Sequence, residues 1–384
     1  MAKQHPSTRL IHTGQNSASS QEPVAISAAF SYEHAEDLEN IFKGRGYGHI
    51  YSRISNPSVT AIEQRLAALD SARGSAVFSS GLAAITSIIF SVCESGDELL
   101  ISKSLFGGTY DLLEETISKA GIKSLYIDPT DVESAKALVS DKTQLVLLES
   151  VGNPKMDLAD VPSYVKWAKP LGIPVVLDHT ILSTLGYSAK DWGIDLVISS
   201  TTKYLTGTGT VVGGVVSDLR QEPWSEIRST SIQESAKQFG QLAVLASIRR
   251  HGLHNIGATL SPFSAFLIGL GLETLALRME RHSENAGKLA EFLSKQAEVK
   301  SMRYIGHESH PQHALAKTLC STGVYSGMIC CDLGSEDKAK AVIDKLKLAK
   351  NAANFGEAKT LVIHPYSTIF VTRSKEDALA AGAG

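Results

Sequence analysis

Seven short apolar runs, separated mostly by stretches of helical length, constrain what this chain can fold into more than any other feature. They are SAVFS (75–79), ELLIS (98–102), KSLYI (123–127), QLVLLE (144–149), PVVLD (174–178), DLVIS (195–199) and GGVVS (213–217). Runs of this length without polar alternation suit strands buried on both faces, and amphipathic segments between them suit helices that cross over a parallel sheet. From "SVTAIEQRLAALD" onward the chain therefore reads as α/β, with a seven-stranded, mostly parallel sheet covered by helices.

After Gly214 the pattern loosens through "SDLRQEPWSEIRSTS". It then turns strongly helical over "SPFSAFLIGLGLETLALRMERHSENAGKLAEFLSK", where Pro262 is placed to open a helix. "GMICCDL" and "KTLVIHP" read as strands and "EDKAKAVIDKLK" as a helix, so a second, smaller α+β domain is expected. The first 55 residues are rich in Ser, Gln, Gly and aromatic residues without sustained periodicity, which suggests an arm lying on another surface, often that of an oligomer. The expected organisation is an arm at 1–55, a large domain at 56–249 and a small C-terminal domain at 250–384.

A chain of 384 residues that is 43% hydrophobic can bury a sizeable core. Its 37 basic and 40 acidic residues nearly cancel, so no overall field recruits nucleic acid or an anionic membrane, and a small molecule is the expected partner. Four cysteines, Cys93, Cys320, Cys330 and Cys331, do not form a disulfide framework, and adjacent Cys330 and Cys331 lack the spacing of a zinc site. The opening MAKQHPSTRLIHTGQ has no apolar secretory core, and no run approaches the length that spans a bilayer. A soluble cytoplasmic protein without a metal is expected.

Ligands in open α/β sheets bind beyond the carboxyl ends of the strands. There SAVFS leads into Ser80-Gly81, ELLIS into "KSLFGGTY", QLVLL into Glu149 and "GNP", PVVL into Asp178, and DLVIS into "SSTTKYLTGTGT" with Lys203. A lone lysine is most often a solvated charge. Just past a buried strand and flanked by Ser200, Thr201 and Thr202, however, an amine can be desolvated and made nucleophilic, as Schiff-base lysines are. Asp178 reads equally as a turn residue or as a carboxylate that keeps a pyridine nitrogen protonated, the arrangement used for pyridoxal phosphate. Ser80-Gly81 reads as an ordinary N-capped helix or as a phosphate cradle, to which Ser200 and Thr202 could add hydroxyl donors. "GTGT" matches neither a P-loop nor a dinucleotide fingerprint.

Taken together and in order, "YSRISNPS", "SSGLAAI", "SLFGGTY", "LLESVGNPKMD", "VVLDHT", "SSTTKYLTGTGTVVGG" and "FGEAKTLVIHP" resemble the Cys/Met-metabolism pyridoxal-phosphate enzymes, the cystathionine γ-synthase and methionine γ-lyase family, over nearly the whole chain. The resemblance implies the aspartate aminotransferase-like fold, fold type I, with the cofactor in the large domain. It implies that Lys203 holds pyridoxal 5'-phosphate and moves protons between Cα, Cβ and C4′, and that Asp178 pairs with the pyridine nitrogen. Ser80, Gly81, Leu82, Ser200 and Thr202 would bind the phosphate, with Tyr51 and Arg53 reaching a neighbouring subunit's phosphate in a homotetramer of paired dimers. Asn153 and Asn354 would lie near the substrate carboxylate.

Within the family "GHIYSRISNPS", "GNPKMD", "SPFSAFLIGLGLETLALRMERHSENA" and "ANFGEAKTLVIHP" follow the O-acetylhomoserine sulfhydrylase branch, and Thr210 and Asn354 agree with it. The implied reaction is γ-replacement by a sulfur nucleophile, giving homocysteine. A C–S lyase acting on cystathionine or methionine, a cystathionine γ-synthase and a weakly active cofactor-binding protein are the alternatives. Three positions depart from the family pattern. Phe106 stands where a cofactor-stacking tyrosine is usual, His179 replaces an asparagine beside Asp178, and Thr208 replaces a histidine. The pattern also continues past Gly384 into a strand whose arginine clamps the substrate carboxylate. Arg373 is not its counterpart, and the natural chain is expected to extend further.

Overall fold

The computed structural model describes residues 5–14 and 19–383. All seven predicted runs are strands: β1 (Gly74–Phe78), β2 (Glu98–Ser102), β3 (Lys123–Ile127), β4 (Thr143–Glu149), β5 (Val175–Asp178), β6 (Leu196–Ser199) and β7 (Gly214–Asp218). They form one sheet in the order β1-β7-β6-β5-β4-β2-β3. Pairing is parallel from β3 through β6, whereas β7 runs antiparallel to both β1 and β6. The connections explain the exception. Helices Gly81–Val92, Val132–Lys136 and Val161–Ala168 carry the chain back between parallel strands, but only turns separate Ser199 from Gly214. Without a crossover helix the chain must return antiparallel, and Lys203 rides on that return.

The two-residue period of the strands divides the apolar side chains between two cores. Phe78, Leu99, Ile101, Leu147 and Ile198 pack with Ala84, Ile85 and Ile88 of helix Gly81–Val92. Leu100, Val146, Leu148, Leu177 and Val197 pack on the opposite face with Val161 and Tyr164. This two-sided burial is why the strands read as continuous apolar runs.

The N-terminal segment is less irregular than its sequence suggests. It contains helices Pro6–His12 and Ala35–Phe42, and Leu10 of the first is buried with Ile62 and Leu66 of helix Pro57–Asp70. Two turns of helix supply too few residues to show a period. Further on, Ser261 caps helix Pro262–Leu272 by accepting from the Ser264 N–H, and the chain bends by 61° into helix Leu275–Leu293. Among the described residues no single helix is long and apolar enough to cross a membrane. Beyond it lie helix Glu336–Lys345 and two small sheets, one pairing Ser301–Arg303 with Cys330–Asp332 and the other Lys350–Asn351 with Leu361–Val362.

A buried ion pair ties the entrance of β6 to the exit of β7. Arg220 lies 2.5 Å from Asp195, their side chains 4% and 9% exposed, and Asp195 also accepts from the Val175 N–H of β5 at 2.8 Å. Burial pushes the Asp195 carboxyl up, and the Arg220 guanidinium opposes that push. Replacing Arg220 with alanine leaves a buried carboxylate without its cation, a change that costs about 3–5 kcal/mol. The urea midpoint of Arg220→Ala is therefore expected to fall well below that of the parent chain; an unchanged midpoint contradicts the assignment.

Candidate active site

The sheet delivers three of its strand ends to one place. In the β4–β5–β6 register Glu149 faces Asp178, and Asp178 faces Ile198 of the strand that leads to Lys203. Thr180 fastens the turns that follow. Its hydroxyl donates to Asp178 Oδ1 at 2.5 Å and accepts from the Ser200 N–H at 2.8 Å, while the Thr180 N–H also donates to Asp178 Oδ1, at 3.0 Å. Among the described residues the other carboxylate oxygen, Oδ2, accepts no hydrogen bond. Burial pushes the Asp178 carboxyl up and the two Thr180 bonds hold it down.

Ser80 and Gly81 lie beside the same turn. The Ser80 hydroxyl accepts from the Ala83 N–H at 3.1 Å and so caps helix Gly81–Val92. The Gly81 and Leu82 N–H groups precede the first intrahelical bond and donate to no acceptor among the described residues, which leaves two donors at the positive end of the helix dipole. This approach requires glycine at Gly214 and leaves little room for a side chain at Gly81. A Cβ at Gly81 would lie 3.2 Å from Ser200 Cβ, and one at Gly214 would lie 2.3 Å from the Ser80 carbonyl oxygen. The Ser200 hydroxyl donates to the Gly213 carbonyl at 3.5 Å, and Thr202 Oγ1 accepts from the Gly213 N–H at 3.0 Å.

Lys203 follows on the same turn, its N–H donating to the Ser200 carbonyl at 3.2 Å. Its Nζ lies 4.7 Å from the centre of the Phe355 ring and donates to Asn354 Oδ1 at 2.5 Å. Asn354 in turn donates from Nδ2 to Glu357 Oε1 at 2.7 Å. Burial lowers the proton affinity of the lysine amine, and the Glu357 charge partly restores it. An amine so placed carries an available lone pair more readily than a surface lysine does.

Two loops approach from β2 and β4. The Phe106 N–H donates to Glu149 Oε1 at 2.8 Å, and the Asn153 N–H also faces the Glu149 carboxylate. Burial, with the Asp178 charge behind it, pushes the Glu149 carboxyl well up. Phe106 is 38% exposed, so its side chain is not sealed into the core. His179 is fully buried, with Nε2–H donating to the Tyr187 carbonyl at 3.0 Å, and burial lowers it to about 4. It is thus neutral near pH 7 and does not act as a charge beside Asp178. Thr208 and Thr210 share a hydrogen bond of 2.7 Å at the exposed end of the glycine-rich turn.

The site expected from sequence is thus largely gathered: Ser80, Gly81, Leu82, Asp178, Ser200, Thr202, Lys203 and Asn354 meet around the β5 and β6 turns, with Phe106 and Asn153 joined through Glu149. Tyr51 and Arg53 do not join them within one chain. Both are exposed, with the Arg53 guanidinium 5.5 Å from the Tyr51 ring centre and bonded to the His254 carbonyl. Thr180, Phe355 and Glu357 join the site beyond the residues expected from sequence, as does Glu149, which the sequence shows only as a strand end. "VVLDHT" and "ANFGEAK" contain three of them, but only the folded turns show which atoms they meet.

These groups suit a phosphorylated aldehyde: an amine to condense with it, a free carboxylate oxygen for a ring N–H, and a helix terminus for its phosphate. The family of Cys/Met metabolism PLP-dependent enzymes matches residues 7–384. The chain belongs to that family. Its cofactor is pyridoxal 5'-phosphate. Among similar proteins, the O-acetyl-L-homoserine sulfhydrylase of Leptospira meyeri is 34% identical, covering 98% of this chain and 90% of its own. The homocysteine/cysteine synthase of Saccharomyces cerevisiae is 33% identical over 98% of this chain and 91% of its own. A solved structure described as an O-acetylhomoserine (thiol)-lyase of Campylobacter jejuni, holding N'-pyridoxyl-lysine-5'-monophosphate, superposes with a TM-score of 0.91 at 29% identity, covering 99% of this chain and 94% of that one. Cystathionine γ-synthase of Xanthomonas oryzae pv. oryzae, in complex with aminoacrylate and cysteine, gives a TM-score of 0.86 at 29% identity, covering 100% and 92%. The pyridoxal-dependent fold expected from the sequence is therefore the fold of this chain.

Proposed function

We propose that this chain catalyses γ-replacement on O-acetyl-L-homoserine, releasing acetate and joining a sulfur nucleophile to Cγ, with homocysteine formed when the nucleophile is sulfide. The carrying observation is the near full-length similarity to O-acetyl-L-homoserine sulfhydrylases and homocysteine synthases, together with an amine, a carboxylate and a helix terminus set for the family cofactor.

Pyridoxal phosphate, when bound, withdraws electrons from an attached amino acid so that protons on Cα and Cβ can be removed and the group on Cγ can leave. The protein's part is divided among its residues. Lys203 holds the cofactor covalently, and its amine then takes and returns the Cα and Cβ protons. Asp178, braced by Thr180, offers Oδ2 to the ring nitrogen. The Gly81 and Leu82 N–H groups receive the phosphate, with Ser200 and Thr202 beside them, and Phe106 presents a ring to the cofactor. Asn153 and Asn354 border the amino-acid substrate.

Phe106 has no hydroxyl to protonate a departing group. Acetate leaves with little protonation, whereas a thiolate leaving from a thioether needs more help, and acid catalysis contributes ~10²–10⁴-fold. The site therefore favours acyl-activated substrates over lyase chemistry. With O-acetylhomoserine and sulfide the enzyme is expected to release acetate and homocysteine in equal amounts. Formation of 2-oxo acid and ammonia regardless of sulfide, or robust cleavage of methionine or cystathionine, would return the lyase reading to first place.

The working unit is a homotetramer of paired dimers with shared sites, in the cytoplasm, where Cys93, Cys320, Cys330 and Cys331 stay free thiols as they are in the fold. The large domain at 56–249 carries the cofactor, and the small domain at 250–384 contributes Asn354 beside Lys203. Tyr51 and Arg53, exposed and apart from their own Lys203, are placed to serve a neighbour's phosphate. Mixing inactive Lys203→Ala subunits with inactive Arg53→Ala subunits is expected to restore part of the activity, because one intact site forms at the shared interface. No recovery after verified subunit exchange contradicts sharing.

A further inference from the structure

Asparagine can present either end of its amide, and nothing in Asn354 itself decides which end meets Lys203. Glu357 decides it. An ionised carboxylate only accepts hydrogen bonds, so its 2.7 Å contact must be with the Asn354 NH₂, which turns the amide oxygen toward the Lys203 amine at 2.5 Å. Glu357 is itself held in place, its side chain 13% exposed.

Two glycines key the loop that carries this pair onto the Lys203 turn. Gly356 has φ +81°, and a Cβ there would lie 2.6 Å from the Tyr204 nitrogen and 2.9 Å from the Lys203 carbonyl carbon. Gly209 has φ +70°, and a Cβ there would lie 2.4 Å from the Glu357 carboxyl. Any side chain at either position would be strained in φ; at Gly356 it would push the loop off the Lys203 backbone, and at Gly209 it would displace the Glu357 carboxyl. The Ala358 N–H closes the contact by donating to the Gly207 carbonyl at 3.1 Å.

Resting on the reading of Lys203 as the proton-carrying amine, we propose that Glu357 is a positioning residue that fixes Asn354 carbonyl-first against Lys203, so that the free amine finds an acceptor and a negative charge behind it whenever it has taken a proton. Lys203 would otherwise hold that proton over an apolar ring in a desolvated site. The neighbouring charged groups do not duplicate this role. Lys359 lies 3.8 Å from the second Glu357 oxygen and tempers its charge. From helix Leu275–Leu293, Arg278 donates to the Tyr204 carbonyl at 2.6 Å, and His282 packs against the Tyr204 ring at 5.3 Å. Arg278 also lowers the proton affinity of His282, whose ring burial holds down first.

A carboxylate behind the amide favours the charged amine, so removing it makes Lys203 lose its proton at lower pH. The test is competitive acetylation of the full chain freed of cofactor, with the Lys203 peptide quantified against exposed lysines across pH. In Glu357→Gln the Lys203 profile is expected to move to lower pH, giving roughly three- to tenfold faster labelling at a fixed pH near 8. Glu357→Asp should restore the parent profile in part, and Asn354→Ala should shift it in the same direction. Adding Glu357→Gln to Asn354→Ala should shift it further through loss of the charge, but by less than the sum of the two single shifts, as expected for residues that act together. If Glu357→Gln does not fold, the Asn354→Ala profile decides. An unchanged or upward-shifted profile, or full additivity of the two changes, overturns the proposal. Because this readout needs neither cofactor nor turnover, it stands or falls separately from the sulfhydrylase assay. In active enzyme the acid limb of kcat should move to lower pH in Glu357→Gln with little change in KM.

Discussion

The architecture depends on one abrupt reversal. After β6 the chain has no helix with which to cross back, so it turns at once and returns antiparallel as β7, and the turn it makes carries Lys203. Were a crossover helix inserted there, the next strand would run parallel and the lysine would lie on an ordinary strand-to-helix connection. The reversal instead pins the lysine between the capped helix at Ser80 and the loop at Asn354. Gly214 opens the returning strand, and its lack of a side chain lets the Ser80 turn lie directly against it.

From this placement follows the chemistry of the amine. Burial disfavours its charged form, which leaves more of it as free amine, and on the proposed reading that amine must also hold a proton once it has taken one. Different neighbours bear on the two demands: the Phe355 ring lies against the partly buried amine, and the Asn354–Glu357 pair offers an acceptor and a charge at one remove. Asp178 shows a related division. Thr180 occupies one carboxylate oxygen and leaves the other open.

Much of this was legible in the sequence because it is local. Strands buried on both faces read as apolar runs, a Ser-Gly pair before an apolar helix reads as a cap with free amides, and Asp178 and Lys203 read as strand ends one unit apart. The antiparallel direction of β7 was legible only in part, since it depends on the absence of a helix between two runs. The Lys203–Glu357 relationship is not local at all: 151 residues separate Lys203 from Asn354, and no periodicity links them. Glu149 was visible as a strand-end carboxylate, but its bonds to two loop amides emerge only when those loops fold over it. The short helices of the N-terminal segment are not legible because two turns give no readable period.

The central claim is that Lys203 is the residue that carries the cofactor, and chemical trapping tests it most directly. Borohydride reduction of the cofactor-loaded protein, followed by peptide mapping, should place a single pyridoxyl adduct on the peptide spanning Asp195 to Thr210, at Lys203. An adduct on another lysine, or none on a protein shown to contain bound pyridoxal phosphate, would contradict the account at its root.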